Sequence, residues 1–118
     1  MDQNSAFTEA EVDYLSERRL ARVATTGRDG TPHVTPVGFS LNRAEGTIDI
    51  GGHAVERTKK FRDVERSGRA AVVIDDNPSV DPWIVRGVEV RGRAETVTEP
   101  QALIRIHPER VRSWGLDG

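Results

Sequence analysis

Hydrophobic positions along this chain follow two rhythms. Over Thr8–Arg19, Val12, Leu15 and Arg19 share one face at spacings of three and four, which predicts a short amphipathic helix with an acidic outer side. Thr8 and Glu11 stand at capping-box spacing and Phe7 and Val12 at the spacing of a hydrophobic staple, so its start is doubly marked. From Leu20 the period becomes two. Leu20–Thr26 and Pro32–Leu41 read as strands around Gly27-Arg28-Asp29-Gly30, whose Asp-Gly pair favours a hairpin. A second turn, Asn42 to Gly46, leads to Thr47–Gly51, where Ile48 and Ile50 alternate with Asp49, and these three strands predict a meander.

The helical rhythm returns once. Phe61 and Val64 are the apolar contacts of a charged segment that starts near Ala54 and ends at Gly68, and this predicts a helix crossing between strands. Ala70–Ile74 is a continuous apolar run, as for a strand covered on both faces. Asp75–Pro82 reads as a turn-rich loop, with its acidic residues as solvated turn residues. Across Gly87–Val97, Val88, Val90, Ala94 and Thr96 alternate with Glu89, Arg91, Arg93 and Glu95, and Gly92 marks a bend or bulge. Ala102–Ile106 is the last strand, followed by Pro108 and a tail, Val111–Trp114. Six short antiparallel strands with Gly-marked bends favour a small barrel, which removes the exposed edges of a flat sheet.

Composition narrows the function. The 118 residues are one domain's worth, with 17 Lys plus Arg against 19 Asp plus Glu, and the net charge of −2 argues against a nucleic-acid binder. The absence of cysteine excludes disulfides, thiolate catalysis and Cys-based metal sites. His33, His53 and His107 lack the i, i+4 pairing of a helical metal site, so no metal is expected. No apolar run approaches the roughly 20 residues of a membrane span, and Met1–Ala10 is too polar for a secretory signal, which points to a cytoplasmic protein.

Candidate chemistry gathers after Gly51-Gly52. Arg57, Lys59, Lys60, Arg62, Arg66 and Arg69 against Glu56, Asp63 and Glu65 give His53–Arg69 a local charge of +3. Arg57, Thr58 and Lys60 offer a guanidinium, a hydroxyl and an ammonium to one phosphate, helped by helix N-terminal amides. The competing account is a solvated, salt-bridged helix face. Trp83, after Pro82, can stack on a planar ligand or pack at an interface, and Trp114 suggests a tail docked on something, such as a second subunit. No nucleophile elbow, phosphate loop or dinucleotide fingerprint is present.

Pro32-His33-Val34-Thr35-Pro36-Val37-Gly38-Phe39 resembles the second-strand signature of the pyridoxamine 5′-phosphate oxidase-like split β-barrels. Arg57–Val64 followed by Gly68–Val73 resembles that family's cofactor-phosphate segment, and Trp83–Glu95 its long fifth strand. The ending, Ile106–Val111 and Ser113–Leu116, is similar to an actinobacterial branch that uses the 5-deazaflavin coenzyme F420.

The resemblance, which runs from about residue 6 to 116, implies a homodimer with its cofactor in a groove between subunits. It implies that Lys60 and Thr58, with Arg57, hold the cofactor phosphate. Thr35, Pro36 and Val37 then line the ring, and Trp83 belongs to the groove wall. His53 departs from the small or polar residue the pattern has there. Arg62, Arg86 and Arg91 are candidates for a basic lane along the cofactor's polyglutamate tail. The implied activity is hydride transfer from reduced F420 to a small electrophilic acceptor, which needs no protein nucleophile and leaves the catalytic residues unnamed. Three alternatives remain: FMN in place of F420, a barrel that only binds a flavin or tetrapyrrole, and a small nucleic-acid-binding barrel, which the charge and scattered aromatics disfavour.

Overall fold

The computed structural model describes residues 6–116; residues 1–5, and with them half of the polar N-terminal stretch, lie outside it. Helix α1, Glu9–Ser16, forms where its caps predict. Thr8 Oγ1 accepts from the Glu11 amide at 3.1 Å, and Glu11 Oε1 accepts from the Thr8 amide at 2.9 Å. The second oxygen of Glu11 accepts from Ser113 Oγ at 2.6 Å, which ties α1 to the far end of the chain.

Seven strands follow rather than six: β1 Leu20–Thr26, β2 Pro32–Gly38, β3 Ser40–Asn42, β4 Thr47–Ile50, β5 Arg69–Ser79, β6 Ile84–Val97 and β7 Leu103–Trp114. They make one antiparallel sheet in the order β2-β1-β5-β6-β7-β4-β3. The hairpin of β1 and β2 is as expected, pairing Thr26 with Pro32. The meander is not, because the run Pro32–Leu41 breaks at Phe39, whose amide bonds the Arg19 carbonyl at 3.0 Å. On one side of Phe39 the chain is β2; on the other it is β3, at the opposite edge of the sheet. A single residue reaches only about 3.5 Å, so the two edges must curl towards each other, which makes the sheet a split barrel.

The β5–β6 hairpin is longer than its sequence suggests. Asp75 and Asp76 continue the ladder opposite Gly87 and Arg86 instead of turning. Each acid finds a cation from a neighbouring element, Asp75 with Arg22 and Asp76 with Arg86, so neither is a turn residue, although Asp75 stays exposed. In β5 only Val72 and Ile74 are buried, so one face is covered rather than two. At Gly92 the register with β7 shifts, and a Cβ there would meet the His107 carbonyl at 2.0 Å, so the predicted bulge needs glycine. The tail is no appendage: β7 runs through Pro108 to Trp114.

Ile48, Ile50, Val72, Ile74, Val88, Val90, Ile104 and Ile106 fill the barrel. Leu15 and Tyr14 of α1 join this core, as do Phe61 and Val64 of helix α2, Lys59–Ser67. Helix α2 starts later than predicted. Ala54 is left-handed, Val55–Arg57 make a single tight turn, and Thr58 caps α2 by accepting from the Phe61 amide at 3.3 Å. Gly68 ends it at φ 70°. Among the described residues no helix is long and apolar enough to cross a membrane, and no metal-ligating cluster occurs.

Candidate functional site

Helix α2 packs along β1 beside the β2 edge, and its first turn overhangs a hollow of about 390 Å³. Val23 and Thr25 of β1 floor this hollow, Pro32–Thr35 of β2 form one wall, and Lys59 and Lys60 form the other. These are the chain's two lysines. Two further hollows adjoin it. One of about 380 Å³ shares His33 and Lys59 and adds Arg28 with Asp29, while one of about 450 Å³ shares Arg28 and Lys59 and adds Arg62 and Arg66 with Asp63 and Glu65. A lane with more cations than acids therefore leads away from Thr35 along α2. The helix amides at its head and the aligned peptide dipoles add partial positive charge there. The arrangement fits an anion with an apolar portion.

The seven residues singled out from the sequence fall in different places. Thr35 and Lys60 line the same hollow. Thr58 is half-buried with its hydroxyl committed to the local fold, donating to the Val55 carbonyl at 2.6 Å and capping α2. Arg57 is exposed at the end of the tight turn, and its carbonyl accepts from Arg62 at 3.1 Å. Pro36 is exposed opposite Arg22, whereas Val37, 7% exposed, belongs to the core, so its backbone is what faces outward chemistry. Trp83 stands 69% exposed in the β5–β6 turn, outside the hollow. Of the three lane candidates, Arg62 lies in the lane, but Arg86 is held by Asp76 at 2.8 Å and Arg91 sits 3.7 Å from Glu89.

Two residues that sequence reasoning passed over are His33, which lines the hollow, and Asp63, which lines the adjoining one with Arg62 and Arg66. Asp63, a second-turn acid of a basic helix, is 1% exposed and accepts from Thr25 Oγ1 at 2.8 Å and His33 Nδ1 at 3.0 Å. Burial pushes the Asp63 carboxyl up, but the hydrogen bonds from His33 and Thr25, with the nearby positive charges, outweigh it and hold the group below the usual carboxylate range. The signal was faint: Lys59, Asp63 and Arg66 share one helical face, yet nothing local pairs residue 63 with residue 33.

Residues 7–115 match the pyridoxamine 5′-phosphate oxidase family. The chain belongs to that family. It is 39% identical, over 95% of its length and 85% of the relative's, to a 5a,11a-dehydrotetracycline/5a,11a-dehydrooxytetracycline reductase of Streptomyces rimosus. That kinship supports an oxidoreductase of this family. Among solved structures, a conserved hypothetical protein of Mycobacterium tuberculosis superposes with a TM-score of 0.77 at 23% identity, covering 99% of this chain and 90% of that one. A FAD-binding protein of Mycobacterium smegmatis does so with a TM-score of 0.68 at 22% identity, covering 92% and 95%. Both likenesses concern the split-barrel fold.

Proposed function

We propose that the protein is an F420-dependent reductase that delivers hydride to a small electrophilic organic acceptor, such as one with a conjugated C=C or C=N bond. The observation that carries this reading is the lane along α2, in which Lys60 and Lys59 line the hollow with Thr35, and Arg28, Arg62 and Arg66 continue beyond them. A flavin phosphate needs only the first part of such a lane, whereas the polyglutamate tail of F420 gives the rest a partner. The relative that is a reductase supports the reaction class.

Lys60, Lys59 and the first-turn amides of α2 hold the cofactor phosphate, with Arg57 in reach of the same end. Thr58 contributes by fixing that turn, since its hydroxyl is already bonded. Thr35 and the backbone of Pro36 and Val37 hold the ring against β2. When bound, the reduced cofactor supplies the hydride. The chain's own part is to orient ring and acceptor and to keep water out. Trp83 reaches a groove wall only from a second copy. The exposed apolar group Val80, Trp83, Ile84 and Val85 gives a homodimer a surface to bury, and sedimentation of the purified protein as a monomer would remove Trp83 from the site.

Equilibrium binding of oxidised F420 and, separately, FMN, followed by ring fluorescence, tests the cofactor. Tight F420 and weak FMN binding is expected. The reverse order assigns an FMN-dependent enzyme, and no binding of either at tens of micromolar overturns both. Cofactor binding without turnover of any electrophilic acceptor would leave a barrel that only binds. Lys60→Ala should weaken the preferred cofactor by about tenfold through loss of one charge-assisted contact, with the fold intact.

A further inference from the structure

We propose that His33, set by Asp63, is a switchable ligand for the anionic group in this hollow, so that the site grips its ligand more tightly as the pH falls through histidine's range. The inference rests on the cofactor reading above and adds a regulation to it.

The geometry begins with Asp63. A buried, ionised carboxylate only accepts hydrogen bonds, and it already takes the Thr25 hydroxyl, with Arg66 at 3.5 Å from its other oxygen. The imidazole at 3.0 Å must therefore carry its hydrogen on Nδ1. That leaves Nε2 as the ring's free atom, and it has no hydrogen-bond partner among the described residues. Gly27 leaves room for the ring, since a Cβ there would sit 2.6 Å from His33 Cε1. The ring lines the hollow shared with Thr35 and Lys60 and also the one shared with Arg28.

Two charge states follow. Neutral His33 offers Nε2 as a lone pair, which an anion avoids. Protonated, it offers an N–H and adds a third positive charge beside Lys59 and Lys60, with the Asp63 carboxylate behind it stabilising that form. The other charged groups facing the ring are Arg28 and Asp29 of the β1–β2 turn and Lys59, Lys60, Asp63 and Arg66 of α2. The two acids, Asp29 and Asp63, both held below the usual carboxylate range, stay ionised between pH 5 and 8. Histidine is the side chain whose ordinary titration falls inside that interval.

Affinity for oxidised F420 and for FMN, measured from pH 5.5 to 8 on the wild type and on His33→Gln, tests the proposal. The wild type should bind about tenfold more tightly, relative to the variant, at the acid end, and the two should converge near pH 8. Taking the ratio removes FMN's own phosphate titration, which runs the opposite way. Parallel profiles would overturn the switch while leaving the cofactor reading standing; no binding by the wild type at any pH would overturn both. If His33→Gln fails to fold, NMR titration of the wild-type ring serves instead. Its midpoint should rise by about one pH unit when cofactor binds, by linkage, and an unmoved midpoint refutes the switch.

Discussion

Asp49 and Asp63 are both aspartates inside this small barrel, 8% and 1% exposed, yet their partners differ in kind. Asp49, on β4, takes both Nε and a terminal nitrogen of Arg105 at 3.1 Å, together with Asn42 Nδ2 at 2.9 Å and Thr47 Oγ1 at 2.8 Å. Its donors come from β3, β4 and β7, so the carboxylate fastens the edge strands to β7 with a cation that never titrates. Asp63, on α2, takes a hydroxyl and an imidazole, and its nearest guanidinium is 3.5 Å away. One cluster is saturated by permanent donors and stands apart from the hollows. The other leaves a ring nitrogen at the edge of one. Burial of a carboxylate thus says little about its role until the donors are named: a forked guanidinium makes a lock, whereas a histidine leaves the charge state open.

Breaking the lock should cost most. Asp49→Ala strands the Arg105 guanidinium, and chemical denaturation should show a loss of about 3 kcal/mol or more, while cofactor affinity per folded molecule stays unchanged. A loss under about 1 kcal/mol would mean that water replaces the carboxylate freely and that the two clusters are alike. Asp63→Asn keeps the shape and removes only the charge, so a loss of about 1–2 kcal/mol is expected.

Acid sharpens the same contrast. Burial raises the Asp49 carboxyl, but the hydrogen bonds from Arg105, Asn42 and Thr47 outweigh it, and like Asp63 it lies below the usual carboxylate range. For a depressed group the stabilisation is complete above the unfolded value, about pH 4, and is lost as pH falls through the folded one. Stability measured from pH 5 down to pH 2 should therefore fall less steeply in Asp63→Asn than in the wild type. An unchanged slope would show that Asp63 is not ionised in the fold.

The contrast also marks what the sequence could show. The capping box of α1, the Gly68 end of α2, the β1–β2 hairpin and the burial of Phe61 and Val64 are set by neighbours a few residues apart, and local spacing displays them; the Gly92 bulge, imposed by the His107 carbonyl across the sheet, shows only as a break in the alternation. The break at Phe39 is not local: its flanking residues alternate smoothly, and only sheet closure decides that β2 and β3 lie on opposite edges. Asp75 and Asp76 look like turn residues until Arg22 and Arg86 are brought beside them. In the candidate site, Thr35 and Lys60 were legible through the ordered resemblance of several segments. His33 and Asp63, thirty residues apart, carry no spacing signal that links them.

The smallest expected effect on stability falls at Gly27, and it tests the open cluster most sharply. Its backbone does not lie in the left-handed region, so alanine fits the dihedral angles and should stabilise by about 0.4–1 kcal/mol through the unfolded chain. Against that, the added Cβ meets His33 Cε1 at 2.6 Å and the Thr31 carbonyl at 3.3 Å. The ring is the end of a side chain and can swing; the carbonyl needs only a slight shift. Swinging the ring also takes a donor from the buried Asp63 carboxylate, so the entropic gain offsets only part of the loss, and the thermal midpoint of Gly27→Ala should fall by a few degrees. Moving the ring separates Nδ1 from Asp63 and takes Nε2 out of its fixed orientation. The variant should therefore keep the cofactor affinity of the wild type at pH 8 and lose the gain at pH 5.5. A Gly27→Ala protein that retained the gain would show that the ring does not need the room glycine leaves, and that the hydrogen bond to Asp63 alone sets its orientation.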